Sequence, residues 1–179
     1  SWLLGHQKNT DVFASLGIDA YDSNLKVNPP LRTKTDIYSL LTGLKEGIID
    51  AIATDHAPHA IQDKLTTLDD AAYGINGLET AFTLLASLYH QNMLDIVEII
   101  NRLTLGAANI ISNSIQKPKG IIKGELADIV LLDLNSDFTV IGKDFISKSK
   151  LTPLEGLTLK GKVILTLAKG SIVYEENNN

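Results

Sequence analysis

Residues 48–59, Ile-Ile-Asp-Ala-Ile-Ala-Thr-Asp-His-Ala-Pro-His, constrain this chain more than any other stretch. The first half is a short apolar run containing β-branched residues, which suits a strand buried on both faces of a parallel sheet. It ends abruptly at Thr54-Asp55, and Pro58 follows. A carboxylate and two imidazoles therefore stand where a buried strand opens into a loop. In α/β folds, and above all in β/α barrels, the C-terminal ends of the strands are where chemistry is built.

The rest of the composition narrows what that chemistry can be. A chain of 179 residues can bury one good core, or form a domain with an appendage. Hydrophobic residues make up 44% of it, yet no apolar run approaches the ~18 residues of a membrane span. A formal charge of −5 without a basic cluster argues against nucleic acid or an anionic membrane as the main partner. The sequence has no cysteine, so a metal site here must use His and carboxylate ligands. Ser1-Trp2-Leu3-Leu4 lacks the basic n-region of a signal peptide, and a cytoplasmic location is expected.

Around the central stretch the chain reads as alternating strands and helices. Residues 5–24 are polar and turn-rich. Leu25-Lys-Val-Asn-Pro-Pro-Leu31 is held off the helix by its two prolines. Thr33 with Asp36 three residues on forms a variant of the capping box. Ile37, Leu40, Leu41, Leu44 and Ile48 then share one helical face, and Gly47 supplies the stop. Strand, helix and strand with short links make a βαβ unit. Residues 60–76 lack a clear period, and a loop of that length beside a candidate site is a lid or a binding loop. Gly77–Gln91 reads as a helix with Ala81, Leu84, Leu85 and Leu88 on one side. Asp95 caps the next helix, whose apolar face is Ile96, Ile99, Ile100 and Leu103. A small-residue helix over Leu105–Ser112 closes the α/β part.

After Lys117-Pro118-Lys119-Gly120 the pattern changes. Residues 127–133, 162–168 and 171–174 read as strands, and Lys169-Gly170 predicts a tight hairpin between the last two. Residues 175–179 form a polar tail.

Asp55 can bind a metal, or hold and relay a proton; an aspartate capping a turn before Pro58 is the plainer alternative. The adjacent histidines favour the functional role, since charge and imidazole cluster at sites. His59 can donate to a substrate carboxylate or carbonyl, or be an ordinary surface-loop histidine. His56, directly after the aspartate, is given no role. His6 has no companion, and His90 ends an amphipathic helix where it can interact with the dipole. Asn28 offers a donor and an acceptor suited to an imide or ureide ring, although Asn-Pro is also a common turn. Tyr73-Gly74 and Gly77 lie across the loop from Asp55. Glycines there let backbone groups approach a ligand; loop flexibility explains them equally well.

Ala53-Thr-Asp-His-Ala-Pro-His59, followed by Lys64, resembles the signature of dihydroorotases. These belong to the amidohydrolase superfamily of metal-dependent β/α-barrel hydrolases. Lys26-Val-Asn-Pro-Pro-Leu-Arg32 before the signature and Gly74-Ile-Asn-Gly-Leu-Glu-Thr80 after it extend the resemblance. Phe145-Ile-Ser-Lys-Ser-Lys150, Thr152-Pro-Leu-Glu-Gly156 and the final hairpin resemble the family's C-terminal β region. The resemblance runs from about Asn24 onward. Related allantoinases and dihydropyrimidinases share the aspartate and parts of the Asn-Pro-Pro segment, but usually lack the Ala-Pro-His ending.

This resemblance implies the reversible interconversion of N-carbamoyl-L-aspartate and L-dihydroorotate in pyrimidine synthesis, with one or two Zn²⁺ ions. It implies that Asp55 lies at the metal site and acts as acid and base, that Asn28 and His59 contact the substrate, and that backbone near Tyr73 and Gly74 lines the ring pocket. A homodimer, or a complex with another pyrimidine-pathway enzyme, is a further implied partner; nucleic acid and membrane are not.

The family's metals also need a His-x-His pair, and none occurs in these 179 residues. Ser1-Trp2-Leu3-Leu4 corresponds to the family's His-His-Leu-Leu element, without its histidines. A complete β/α barrel needs roughly 250 residues, and only about two of its βα units are legible here. The expectation is therefore an α/β chain that forms the C-terminal portion of a β/α (TIM) barrel of the metal-dependent hydrolase type. Its last βα units would occupy residues 1–116, and a small β-sandwich-like unit residues 117–179. Alone it is expected to be inactive or a very weak enzyme. The alternatives are a catalytically silent homologue kept as an assembly partner, and an allantoinase- or hydantoinase-type cyclic amidohydrolase.

Overall fold

The computed structural model of the chain describes residues 21–111 and 120–176. The expectations for His6 and residues 1–20, for Ser112 and the Lys117-Pro118-Lys119 boundary, and for residues 177–179 of the tail lie outside them. The described chain divides into two compact units. The first takes the residues through Ile49, then Ala53–Ala81 and Thr139–Thr158; the second takes Asp50–Ile52, Phe82–Phe138 and Leu159 onward.

In the first unit, a 3₁₀ turn at Ser23–Leu25 is opened by Asp22, whose carboxylate accepts from the Asn24 N–H. The chain passes through Val27 to a cis Asn28–Pro29 peptide and enters helix α1, Lys34–Lys45. The capping box forms as the sequence predicts. Thr33 Oγ1 accepts from the Asp36 N–H at 3.3 Å, and Asp36 Oδ2 accepts from the Thr33 N–H at 3.0 Å. Two otherwise orphaned donors are thereby satisfied. Leu41 and Leu44 are buried, and Gly47 ends the helix at φ +74°. Ile48 lies beyond that stop and is 72% exposed, so it does not join the stripe.

The apolar run 48–54 differs from the expected strand. Among the described residues it pairs in no ladder, and the nearest parallel pairing is a single bridge between His56 and Ile75. The reason is physical: a parallel strand exists only through neighbours that accept and donate along its length, and among the described residues no strand lies beside the run to supply them. After the bridge the chain makes one helical turn, α2 (Ile61–Lys64). Later, residues 139–158 return to this unit. Val140 and Leu154 are its best-buried side chains there, with Val140 N–H donating to Leu157 O at 2.8 Å. Val27 and Leu31, with Leu25 and Ile75 against them, form a small core beside the Asn28 turn.

The second unit holds α3 (Ala81–His90), α4 (Ile96–Leu103) and α5 (Leu105–Ile110). Asp95 caps α4, though by accepting from the N–H of Val97. Ile99 is fully buried, the expected inward position of that helix. On α3 the inward residues are Thr83, Leu85, Ala86 and Leu88; Thr83 Oγ1 donates to the Gly161 carbonyl at 2.7 Å. His90 stands in the last turn of α3 and also meets the carbonyl of Leu134 at 2.7 Å.

The strands β1 (Ile129–Thr139), β2 (Thr158–Ala168) and β3 (Ser171–Glu175) form one sheet in that order. Strands β2 and β3 are antiparallel, with Ala168 opposite Ser171, and the hairpin turns at Lys169 (φ +50°) and Gly170 (φ +81°). Two consecutive positive φ values are the type I′ signature that suits right-twisted strands. No described helix is long and apolar enough to cross a membrane.

Candidate active site

Five residues carry the expectation of a site: Asn28, Asp55, His59, Tyr73 and Gly74. All fall in the first unit. Asp55 is exposed and stands at φ +49°, in the left-handed region that few non-glycine residues occupy. The turn it begins is closed by backbone and side-chain contacts to one segment. Ala57 N–H donates to Ile75 O at 3.0 Å within the His56–Ile75 bridge, and His59 Nε2 donates to Tyr73 O at 2.8 Å. A carbonyl can only accept, so Nε2 carries the proton.

Gly74 is where the two segments touch. Its φ is +147°, and a Cβ there would lie 2.4 Å from Ala57 O and 2.9 Å from His59 Nε2. Only glycine allows that approach. Gly74 N–H in turn donates to Lys26 O at 2.9 Å, two residues before Asn28. The Asn28 turn, the Asp55–His59 turn and the Tyr73–Gly74 segment are thus joined through a continuous backbone network. Asn28 itself is exposed at the turn, and Tyr73 presents its ring to Lys26, whose Nζ sits 4.5 Å from the ring centroid.

Four residues that the sequence left without a role hold this arrangement. Lys64 is 3% exposed, and its ammonium donates to Ala72 O at 2.9 Å and Lys26 O at 3.3 Å. Burial lowers its pKa; the nearby Asp22 charge opposes that shift and Lys26 adds to it. The segment expected to be a lid or a binding loop is tied down at Lys64. His56 accepts at Nδ1 from the N–H groups of Gly77 and Leu78, at 3.1 and 3.2 Å. Its Nε2 lies 3.3 Å from Ser147 Oγ. Glu79 accepts from the Ser147 N–H at 2.8 Å. Burial pushes the Glu79 carboxyl up, but its hydrogen bonds to Ser147 outweigh that and hold it below the usual range. Lys64 was visible only as part of the signature; Ser147 and Glu79 gave no signal of a shared role.

Asp55 is the one of the five expected residues with a hard anionic oxygen suited to a divalent metal. Among the described residues no three His, Asp or Glu side chains converge in a group that could hold a metal ion.

The sequence matches the amidohydrolase family over residues 8–173. Over 155 residues it is 45% identical to a dihydroorotase of Ehrlichia canis (strain Jake), covering 86% of this chain and 34% of that protein. Against a dihydroorotase of Thermoanaerobacter sp. (strain X514) the identity is also 45%, over 158 residues, 88% of this chain and 36% of the relative. This chain spans about a third of the length of these curated relatives. Among solved structures it is similar to the L-hydantoinase (dihydropyrimidinase) from Arthrobacter aurescens. That likeness has a TM-score of 0.79 and 26% identity, over 97% of this chain and 38% of that one. It agrees with the expected hydrolase of the β/α-barrel type, while the three C-terminal strands form a single sheet. With the match running through the Asn28, Asp55–His59 and Tyr73–Gly74 segments alike, the chain belongs to the amidohydrolase family.

Proposed function

We propose that this chain is the C-terminal part of a dihydroorotase, which interconverts N-carbamoyl-L-aspartate and L-dihydroorotate in de novo pyrimidine biosynthesis. The observation that carries this reading is the closure of the Asp55–His59 turn on Tyr73–Gly74, in a sequence 45% identical to dihydroorotases. In this reading residues 1–116 hold the last βα units of the barrel. Residues 117–179 form the C-terminal β unit, of β-sandwich-like architecture.

Each residue then has a defined task. Asp55 takes the proton of the water that adds to the ring amide carbonyl and returns one to the nitrogen as the C–N bond breaks, the work of a positioned general base and acid. Its exposed carboxylate at the mouth of the turn is free to face substrate. The Asn28 carboxamide supplies both a donor and an acceptor to the ring edge. His59 engages the substrate carboxylate, and Tyr73–Gly74 offers backbone to the ring because no Cβ intervenes at Gly74. Zn²⁺ is the metal of this reading, with Asp55 as the ligand this chain contributes. When bound, it supplies Lewis acidity and lowers the pKa of coordinated water to ~7. The further ligands that zinc requires come from elsewhere in the full-length protein. The isolated chain is therefore expected to be inactive or very weak. A cytoplasmic enzyme acting as a homodimer, or in complex with another enzyme of the pathway, completes the proposal.

The test is dihydroorotate hydrolysis by the full-length protein with Zn²⁺, followed by loss of ring absorbance. Turnover that falls by about 10²–10⁴-fold in Asp55→Ala supports the assignment. Preference for a hydantoin over dihydroorotate would move it to the hydantoinases, and no turnover of any cyclic amide would point to a silent homologue.

A further inference from the structure

Asp55 needs an explanation for its backbone before its chemistry can work. A non-glycine residue at φ +49° is held there at a cost, less for Asp than for most, and persists where the surroundings fix it. On the N-terminal side, Thr54 O lies 2.9 Å from where a Cβ on Gly77 would stand. On the C-terminal side, the His56 backbone bridges Ile75. The His56 ring then spans the two other segments. Its Nδ1 takes the N–H groups of both Gly77 and Leu78.

That double acceptance settles the ring's chemistry. Nδ1 has one lone pair, and with two donors facing it the proton of a neutral imidazole belongs on Nε2. Nε2–H then donates to Ser147 Oγ at 3.3 Å, and Ser147 is itself anchored through its N–H to Glu79. No lone pair remains on His56 for a metal or for proton abstraction.

We infer that His56 is a positioning residue: it latches the segment after Asp55 to Gly77–Leu78 and to Ser147, and so sets the direction of the Asp55 carboxylate. This rests on the dihydroorotase reading for its catalytic consequence, but not for the latch itself.

Two conservative replacements separate the ring's two nitrogens. His56→Asn places an acceptor oxygen near the Nδ1 position; His56→Gln reaches instead toward the Nε2 position. In the full-length protein, His56→Ala and His56→Gln are expected to lower kcat on dihydroorotate by about 10–100-fold, with KM within about threefold, because a small misplacement of a reacting group is costly. His56→Asn is expected to stay within about threefold of wild type. A thermal midpoint that falls in His56→Ala while kcat per folded molecule stays within twofold would overturn the proposal, as would an Asn variant as impaired as Ala. Histidine-selective nitrogen-15 spectra of the full-length protein supply a second readout. The Nε2–H tautomer is expected for the signals that vanish in His56→Asn, and the Nδ1–H tautomer there sinks the latch whatever the activity. If wild type shows that tautomer as expected but does not hydrolyse dihydroorotate, the latch stands and the assigned reaction fails.

Discussion

His59 and Tyr73 are joined by a 2.8 Å hydrogen bond from imidazole Nε2 to the main-chain carbonyl, across fourteen residues of sequence. The bond orients the ring and commits one of its nitrogens, so that a neutral His59 turns only an acceptor, Nδ1, to any other partner. A substrate carboxylate needs a donor. Engagement of such a group therefore requires either the imidazolium or release of Tyr73, and this contact couples the histidine proposed to bind substrate to the segment that carries Gly74.

Gly74→Ala tests that coupling. The added methyl would stand 2.4 Å from Ala57 O, 2.8 Å from Ala57 Cβ and 2.9 Å from His59 Nε2, at a φ of +147°. Two of those neighbours belong to Ala57, one of them backbone, so the relief must come from moving the Asp55–His59 turn. Strain of this kind with overpacking costs about 3 kcal/mol or more. The expected result is a lower denaturation midpoint together with loss of dihydroorotate hydrolysis in the full-length protein. A variant as stable and as active as wild type would show that the two segments are not in contact during turnover.

How much of this was readable beforehand depends on sequence distance. The Thr33–Asp36 box and the Lys169-Gly170 hairpin were legible because each is decided within four residues by cap and turn chemistry. Asp55, His59 and Gly74 were legible as a motif, and the structure joins His59 to Tyr73 and Gly74 through their contacts. The run 48–54 has a strand's composition but lacks a strand's pairing here, and pairing is a property of neighbours that periodicity does not report. His56 had no readable role because one of its partners lies ninety-one residues away. The Lys64 contacts span eight and thirty-eight residues. A lysine in a polar stretch gives no sign that its ammonium will be buried.

Lys64→Met keeps most of the side-chain volume and deletes the ammonium. The carbonyls of Lys26 and Ala72 then lose a donor in a half-buried place, and Lys26 O keeps only the Gly74 N–H, at an expected cost of about 1 kcal/mol. The pH dependence adds a sharper check. Burial lowers the folded-state pKa of Lys64 below its ordinary value of 10.5. Between the two values the unfolded chain binds more protons, so stability gained from this group rises with pH there and is lost as pH falls through the folded value. Denaturant titrations across the alkaline range are expected to show that rise as the difference between wild type and Lys64→Met. A difference that is flat with pH would mean that the ammonium is fully solvated.

Tyr174 behaves oppositely, and for a reason local to the second unit. Its hydroxyl donates to Glu176 Oε2 at 2.7 Å, and Glu176 Oε1 meets Lys162 Nζ at 2.9 Å. The hydrogen bond to Glu176, then burial, then the carboxylate's charge push the phenol up to about 12. A raised folded-state value means that the stability from this bond is present below pH ~10, the unfolded value, and is lost as pH rises toward the folded one. Ultraviolet titration of the chain, which contains five tyrosines, is expected to show one phenol ionising late, near 12. Tyr174→Phe should remove that step, and Glu176→Gln should move it toward lower pH, because a neutral amide accepts the hydrogen bond without repelling the phenolate. If the late step survives Tyr174→Phe, it belongs to another tyrosine and the Tyr174–Glu176 bond does not govern the alkaline response of the hairpin.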